Sequence, residues 1–385
     1  MAPCIAREPL KWNRFPAHMT DVPAARVSPS TAPEAVDPGS ALFDGEGFGG
    51  LAATDPEVIL EGGWDDWGML EEALAVGSGG GLAGWFDYDG NFRFGDFPDW
   101  SASPSCAVPG PAMRTARTDF LPGMDQEEWI RLVGRAKDYI TAGDIYQVNL
   151  THTLSAPWPE DPAEFYPRLR RASPAPYACF LRLGDTAVLS ASPECFLHID
   201  GRRIMTRPIK GTRPRGADDA SMMEELLGSE KERAELIMIT DLERNDLGQV
   251  CEFGSVRVTA LCQLQSFAQV HHLVSEIEGK LRPEVTPVQA VRACYPGGSI
   301  TGAPKKRARE IIAELEPTPR GIYTGAIGFF RRDGSAVFNI AIRTLVVRDG
   351  RATYGVGAGL VADSDPASEY KETLDKAAGL FAALS

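Results

Sequence analysis

Three Asp-Gly dipeptides, Asp200-Gly201, Asp333-Gly334 and Asp349-Gly350, each stand between β-prone runs, and they constrain the fold more than any other feature of the chain. Asp-Gly tolerates the positive φ angles of the two-residue turns that join antiparallel strands, so each dipeptide predicts a hairpin. The runs around the first are Ala187–Ile199 and Arg202–Thr206. Around the other two they are Ala326–Arg331, Ala336–Val347 and Ala352–Val361, which predicts an antiparallel meander. Further strands are expected within Leu42–Leu60 and over Ile145–Leu154, where apolar residues alternate. Gly77–Gly84 lacks the spacing of a phosphate-binding loop and reads as a turn into a strand.

Helical signals flank these strands. Asp125 is an N-cap, and Trp129, Leu132, Val133, Ala136, Tyr139 and Ile140 recur at helical spacing up to Gly143, a natural C-cap. Other helices are expected over Trp67–Ala75 and Ser221–Asp241, from a first-turn Pro304 to about Leu315, and from Pro366 to about Leu384. Strands in hairpins with helices outside them imply an α+β fold and not a parallel βαβ sheet. Residues 1–40, rich in Pro and Ala, form a poorly defined N-terminal segment, and Ser101–Pro111 has a loop composition. Residues 41–118 read as the N-terminal part of a β-rich scaffold, continuous as one globular unit with the motif-bearing region 119–385.

A formal net charge of −14 over 385 residues argues against nucleic acid as a partner, because phosphate neutralisation needs clustered Lys and Arg. An anionic small substrate stays possible through a local basic pocket. No apolar run reaches the roughly 18–20 residues of a membrane span, and the N-terminus has no signal-peptide core. Seven cysteines without a spacing pattern read as reduced thiols, so a cytoplasmic protein is expected.

The chemistry-bearing residues cluster in the second region. Glu194, in Ser192-Pro193-Glu194, and Lys210, in Pro208-Ile209-Lys210-Gly211-Thr212, are folded back on one another by the Asp200-Gly201 turn. A carboxyl beside an amine is either a surface ion pair or a general acid beside a nucleophile. On the last helix Glu369, Glu372 and Lys376 share one face, which suits either the helix dipole and an i,i+4 pair or a hard cation. Glu235 is a further carboxylate among apolar neighbours, and with oxygen donors magnesium is a better guess than zinc. His271-His272 has no zinc-site frame and reads in isolation as structural. Gly297–Lys305 is a glycine-rich loop entering a helix, either a tight turn or an anion site. Arg343, inside an apolar strand, either points to solvent or reads a carboxylate.

These segments together resemble the chorismate-utilising enzymes, which include anthranilate synthase and aminodeoxychorismate synthase components I and the isochorismate and salicylate synthases. The resemblance rests on Gly143–Leu150, Ser192–Glu194, Pro208–Thr212, Asp241–Gly248, Gly298–Lys305, Phe338–Thr344 and Gly357–Lys376, in that order. It is strong over 120–385 and weak over 42–100. It implies antiparallel sheets packed as a two-lobed sandwich with helices outside. Within the family, Lys210 resembles aminodeoxychorismate synthase component I, since anthranilate synthases usually carry Ala there. Gln147 stands where enzymes that add water usually have Lys; ammonia, already a nucleophile, needs only positioning.

The resemblance implies amination of chorismate to 4-amino-4-deoxychorismate, for 4-aminobenzoate and folate, with anthranilate formation or an inactive scaffold for a glutaminase as alternatives. It implies that Glu235 and Glu372 hold Mg²⁺, with Glu369 nearby. Arg343, Tyr323, Lys376, Thr301 and the backbone of Gly357, Ala358 and Gly359 would hold substrate, with His272 near the ring carboxylate. Glu194 would be the acid and Lys210 the covalent nucleophile, its amine freed by desolvation and a neighbouring cation. Cys195 and Leu236 depart from the family's usual Arg and Asn, and the short N-terminal region puts a tryptophan pocket in doubt. No cysteine is flanked by Gly as a glutaminase nucleophile would be, so ammonia is expected from a separate glutaminase subunit in a heterodimer. The last helix closes the chain, so no fused lyase is expected.

Overall fold

The structure is a computed structural model and describes residues 39–77, 79–102, 119–216, 218–267 and 270–385. The reading of residues 1–40, and of nearly all of the Ser101–Pro111 loop, lies outside the described residues. Two antiparallel sheets of ten strands each form the scaffold, with helices around them. In the first sheet Gln147–Pro157, Arg351–Leu360, Thr344–Arg348, Thr186–Ser192, Tyr177–Leu183 and Ser40–Phe43 lie side by side. The second runs Ile209–Pro214, Val270–Lys280, Arg203–Arg207, Cys195–Asp200, Ala336–Ile340, Ala326–Arg331, Gly81–Phe86 and on to Val58–Gly62. Both sheets therefore draw strands from 41–118 and from 119–385.

Each Asp-Gly turn makes its hairpin: Cys195–Asp200 pairs with Arg203–Arg207, Ala326–Arg331 with Ala336–Ile340, and Thr344–Arg348 with Arg351–Leu360. At the third, Asp349 and Gly350 lie at φ 50° and 69°, the two left-handed positions that a type I′ turn requires. The meander does not form, however, because two of the long runs break. Ala187–Ile199 divides into Thr186–Ser192 of the first sheet and Cys195–Asp200 of the second, crossing between them at Pro193-Glu194. Ala336–Val347 divides likewise, crossing back over Ala341–Arg343. Pro193 has no N–H for a ladder, and Arg343 at φ 50° leaves the strand conformation. The crossings run together: Ile340 N donates to Glu194 O at 3.1 Å and Ala191 N to Arg343 O at 3.0 Å.

Helix Gln126–Ala142 has its expected ends, a capping box between Asp125 and Glu128 and Gly143 at φ 84°. The expected helix Ser221–Asp241 is instead two, Asp219–Gly228 and Glu230–Gly248, because Ser229 takes an extended conformation and caps the second through Glu232 N. The closing helix is also two, Pro366–Asp375 and Ala378–Leu384. Pro304 is the N-cap of Lys305–Leu315, not its first-turn residue.

Aromatic side chains fill the core on the second sheet, Phe86, Phe94, Phe330 and Phe338 all being sealed from solvent. One buried polar tie is fully paired. Glu316 and Arg320, with side chains 5% and 1% exposed, meet at 2.7 and 2.8 Å. Glu316 also accepts Thr151 N at 2.9 Å, while Arg320 donates to Ile300 O at 2.9 Å and Asn149 O at 2.6 Å. This strut fixes the Gln147–Pro157 strand against the turn at Ile300. Glu316→Gln leaves the buried guanidinium without its counter-charge, and breaking such a pair costs about 3–5 kcal/mol. Urea unfolding should show that loss, and a midpoint within error of wild type would refute the strut.

Candidate active site

Glu194 sits at the first crossing, 4% exposed, with Oε1 lacking a hydrogen-bond partner. Burial pushes its carboxyl up to about 7, against the opposing pull of Ser299, the Lys210 charge and the Ile209 N–H. Behind it lies Glu243, also buried, whose Oε2 accepts the Thr206 hydroxyl at 2.7 Å. Burial, then the Glu194 charge, drive this second carboxyl to about 8. Two carboxyls that both retain protons near neutrality form one coupled acid pair.

Lys210 lies on Ile209–Pro214, where Gly211 at φ 69° accompanies a register slip between Lys210 and Thr212. Its amine meets Gln147 at a bare glycine: a Cβ on Gly359 would lie 2.7 Å from Gln147 Nε2 and 3.4 Å from Lys210 Nζ. Gln147 is 2% exposed and its Oε1 has no partner. The charge facing Lys210 is the Glu235 carboxylate, 4.0 Å from Nζ. Where the sequence suggested a neighbouring cation, the group at this distance is an anion.

Arg343 and His272, two of the residues expected to meet substrate carboxylates, lie near one another. Arg343 is held at φ 50°, and its largely buried guanidinium has no ion pair or hydrogen bond among the described residues. A left-handed non-glycine residue costs of order 1–3 kcal/mol, so the surroundings impose this placement. The solvent-facing alternative for Arg343 is thereby removed. Its charge and, above all, burial hold His272 down at about 4. The His272 Nδ1 lies 3.0 Å from Gly211 O, which can only accept, and 3.0 Å from the Thr212 hydroxyl, which can do either; the carbonyl favours the tautomer with the proton on Nδ1. Nε2 is then a bare, buried acceptor. Tyr323 packs flat on Gly355, where a Cβ would fall 2.0 Å from its ring.

Lys376 donates to Gly357 O at 2.7 Å and to Glu372 at 2.9 Å. Ala358 turns its methyl into the apolar core and offers only backbone. Thr301 uses its hydroxyl on its own turn, bonding Gly297 O at 3.1 Å and Gly298 O at 3.2 Å. The glycine-rich loop does not enter a helix directly, as its sequence suggested. A 3₁₀ turn, Gly298–Ile300, and the short strand Gly302–Ala303 come first.

Glu235, on Glu230–Gly248, faces Glu369 and Glu372 on Pro366–Asp375. Burial raises the Glu235 carboxyl, with Lys210 and Lys231 opposing and Glu369 and Glu372 adding to the rise. At Glu372 burial also raises, but Lys376, Lys210 and Lys231 together outweigh it and leave the carboxyl lowered. Glu369 accepts Ser364 Oγ at 2.8 Å and pairs with Lys231 at 3.8 Å. Among the described residues no three acidic, His or Cys side chains converge as a closed metal cage. The donor set still suits a hard cation that takes one or two carboxylates and completes its shell with water and substrate oxygens, as Mg²⁺ does.

These contacts bring Glu194, Gln147, Lys210, Glu235, Glu369, Glu372 and Lys376 together and set Arg343 by His272, while Tyr323 packs on Gly355. Sequence reasoning missed Ser299, Thr206 and Glu243. Glu243 stood inside a quoted motif, but without the crossing at Glu194 nothing marked it as the neighbour of a second buried acid.

Residues 103–382 match the family described as chorismate binding enzyme. Aminodeoxychorismate synthase of Streptomyces griseus is 49% identical over 261 residues, 67% of this chain and 36% of that protein. An anthranilate synthase component 1 of Haloarcula marismortui is 49% identical over 255 residues, 66% of this chain and 51% of that one. This chain therefore spans about a third of the first relative and half of the second. Among solved structures, anthranilate synthase component I of Streptococcus pneumoniae superposes with TM-score 0.77 at 27% identity, covering 94% of this chain and 95% of that one.

Gly359→Ala should test the meeting of Lys210 and Gln147. The added methyl displaces flexible side-chain ends, so the thermal midpoint should hold, while kcat with chorismate falls about 100-fold through misplacement. Unchanged kcat in the folded variant would show that this space is not where reaction occurs.

Proposed function

This chain belongs to the chorismate-binding enzyme family, and from that membership we propose that it aminates chorismate with ammonia to 4-amino-4-deoxychorismate, as an aminodeoxychorismate synthase component I does. The observation that carries the reading is the amine of Lys210 meeting Gln147 over bare Gly359, with the proton-holding Glu194 adjacent. A neutral Gln positions ammonia without having to deprotonate it. A lysine at this place offers a nucleophile of its own.

The steps balance as two allylic displacements. Lys210 Nζ attacks ring C2 while Glu194 gives its proton to the departing 4-hydroxyl, which leaves as water. Ammonia, held by Gln147, then attacks C4, the double bonds shift back, and the C2–N bond to Lys210 breaks. The Glu194 carboxylate takes the proton that the new amine sheds. Arg343 and Tyr323 would bind the enolpyruvyl carboxylate, with Lys376 fixing the Gly357 backbone. His272, neutral, would orient the ring through Nε2. Glu235 and Glu372 would hold Mg²⁺, with Glu369 beside them; the ion supplies positive charge for the ring carboxylate. Ammonia would come from a separate glutaminase subunit, and the product would feed 4-aminobenzoate formation.

A second reading, anthranilate synthesis, draws on the relatives of that name at equal identity. The two differ in product, so mass spectrometry after incubation with chorismate, Mg²⁺ and an ammonium salt decides between them. The expected product is 4-amino-4-deoxychorismate with pyruvate retained, and anthranilate would overturn the reading. In quenched wild-type protein an adduct on Lys210 is expected. Lys210→Ala should lose the adduct and keep slow amination at most; an adduct surviving in that variant would move the nucleophile elsewhere.

The raised carboxyl of Glu194 fixes a pH dependence. Glu194 is protonated, hence able to donate, below about 7, so kcat at constant free ammonia should fall as pH rises through that value. Stability carries the same sign. The folded state holds a proton that the unfolded chain releases near 4.5, so this contribution is complete below 4.5 and is lost as pH rises through 7. Glu194→Gln should abolish the alkaline limb and be more stable than wild type above pH 7, the difference closing below pH 5. A flat rate profile in wild type would remove Glu194 as the acid.

A further inference from the structure

Between the sheets lies a second cavity, of about 560 Å³, that contains none of Glu194, Lys210, Gln147, His272 or Arg343. Its walls come from three places: Trp85, Phe92 and Arg93 of the second sheet, Thr153, Thr344 and Thr353 of the first, and the Pro319–Tyr323 loop. The volume suits a small molecule.

The polar atoms of this cavity divide unequally. Its carboxylates are already committed. Asp87 accepts Asp89 N, Asn91 N and Asn91 Nδ2, and Glu61 pairs with Arg93 Nε at 2.5 Å. Arg348 is tied to Asp185 at 2.9 Å. The groups left without partners among the described residues are mostly donors, the Trp85 indole N–H, the Thr153 and Tyr323 hydroxyls, Nη2 of Arg93 and Nη1 of Arg348, with Asn91 Oδ1 an acceptor beside them. The remaining Arg93 nitrogens are spent on Glu61, Leu183 O, Asp185 and Thr186. Two spare guanidinium nitrogens, on cations whose charge Glu61, Asp185 and Asp349 already offset, together with neutral donors fit a monoanion better than a phosphate, which would call for several uncompensated cations. Flat walls of Trp85, Phe92 and Tyr323 fit a ring.

We infer that this cavity is a second ligand site, for a small aromatic or cyclic monocarboxylate, distinct from the site of reaction. The cavity reports to the reaction site through a shared wall. Tyr323 lies on Gly355, Thr153 is the cross-strand partner of Gly355, and two residues on the same strand comes Gly357, whose carbonyl Lys376 holds. A ligand that pulls on the Tyr323 hydroxyl competes for the group that would bind substrate, and the coupling must be reciprocal.

Binding can be measured without any turnover, so the outcome is independent of which product the enzyme makes. Titration calorimetry of the whole chain with benzoate, and with benzamide as its uncharged counterpart, is the test. A ring carboxylate could also enter the reaction site, so Arg343→Gln is titrated in parallel to block that route. Benzoate is expected to bind wild type and Arg343→Gln alike, at least tenfold tighter than benzamide. The double variant Trp85→Phe, Thr153→Val should weaken benzoate at least tenfold while its circular dichroism matches wild type. Should the double variant misfold, Thr153→Val alone is expected to weaken benzoate at least threefold. The inference is overturned if benzoate does not bind, if benzamide binds equally well, if Arg343→Gln abolishes binding, or if folded cavity variants bind as wild type does.

Discussion

Two neighbouring strands leave their sheets together, and almost everything else in the site hangs on that. At Pro193-Glu194 one chain passes from the first sheet to the second, and at Ala341–Arg343 another returns. The Ile340 N to Glu194 O and Ala191 N to Arg343 O bonds hold the passages side by side. A buried strand must spend its N–H and C=O groups on ladders. Where two strands switch sheets in register, each satisfies the other's backbone, and the side chains at the switch are released from the pleat into the space between the layers. Glu194 and Arg343 are those side chains. The left-handed backbone of Arg343 and its partnerless guanidinium would be costly in isolation, and they persist because buried strands on both sides over-determine them.

That geometry also separates the charges. On one side stand Glu235, Glu369 and Glu372 with Lys210, Lys231 and Lys376 among them, so that each carboxylate feels at least one ammonium. On the other, Arg343 faces neutral His272 and Tyr354. A dicarboxylate spanning the cleft would find an unspent guanidinium at one end and at the other an acidic cluster that needs a cation first. In the proposed reaction this would make metal and substrate mutually dependent, since an ion held by Glu235 and Glu372 would relieve crowding among the acids and supply positive charge for the substrate carboxylate.

The sequence disclosed the local rules well and the layer change poorly. Asp125, Gly143 and the three Asp-Gly turns act within a few residues, so caps and hairpins were legible. The breaks at Pro193 and Arg343 were not, because Thr186–Ser192 and Ala336–Ile340 are buried along their whole lengths and carry no alternation that a change of sheet could interrupt. A continuous apolar run looks the same whether it stays in one sheet or crosses to another. Ser229 was overlooked because helix-favouring residues flank it on both sides, so Asp219–Gly228 and Glu230–Gly248 read as one helix. The candidate site was legible because its members recur in a family order. Their supports, Ser299, Thr206 and Glu243, were silent because their role lies in contacts across the fold.

Glu243 shows what those silent contacts add. A lone buried carboxyl beside Lys210 would be drawn toward ionisation by the amine. Behind Glu194, however, stands a second acid that is itself buried and held by Thr206. The pair resists carrying two negative charges, so when Glu194 gives up its proton Glu243 keeps its own. For a reaction that first spends a proton on a departing hydroxyl and then recovers one from an incoming amine, a neighbour that stays protonated leaves Glu194 as the one newly charged carboxylate, ready to take the second proton. The crossing that placed Glu194 between the sheets is also what brought it against Glu243, so the strand geometry and the proton inventory have one origin.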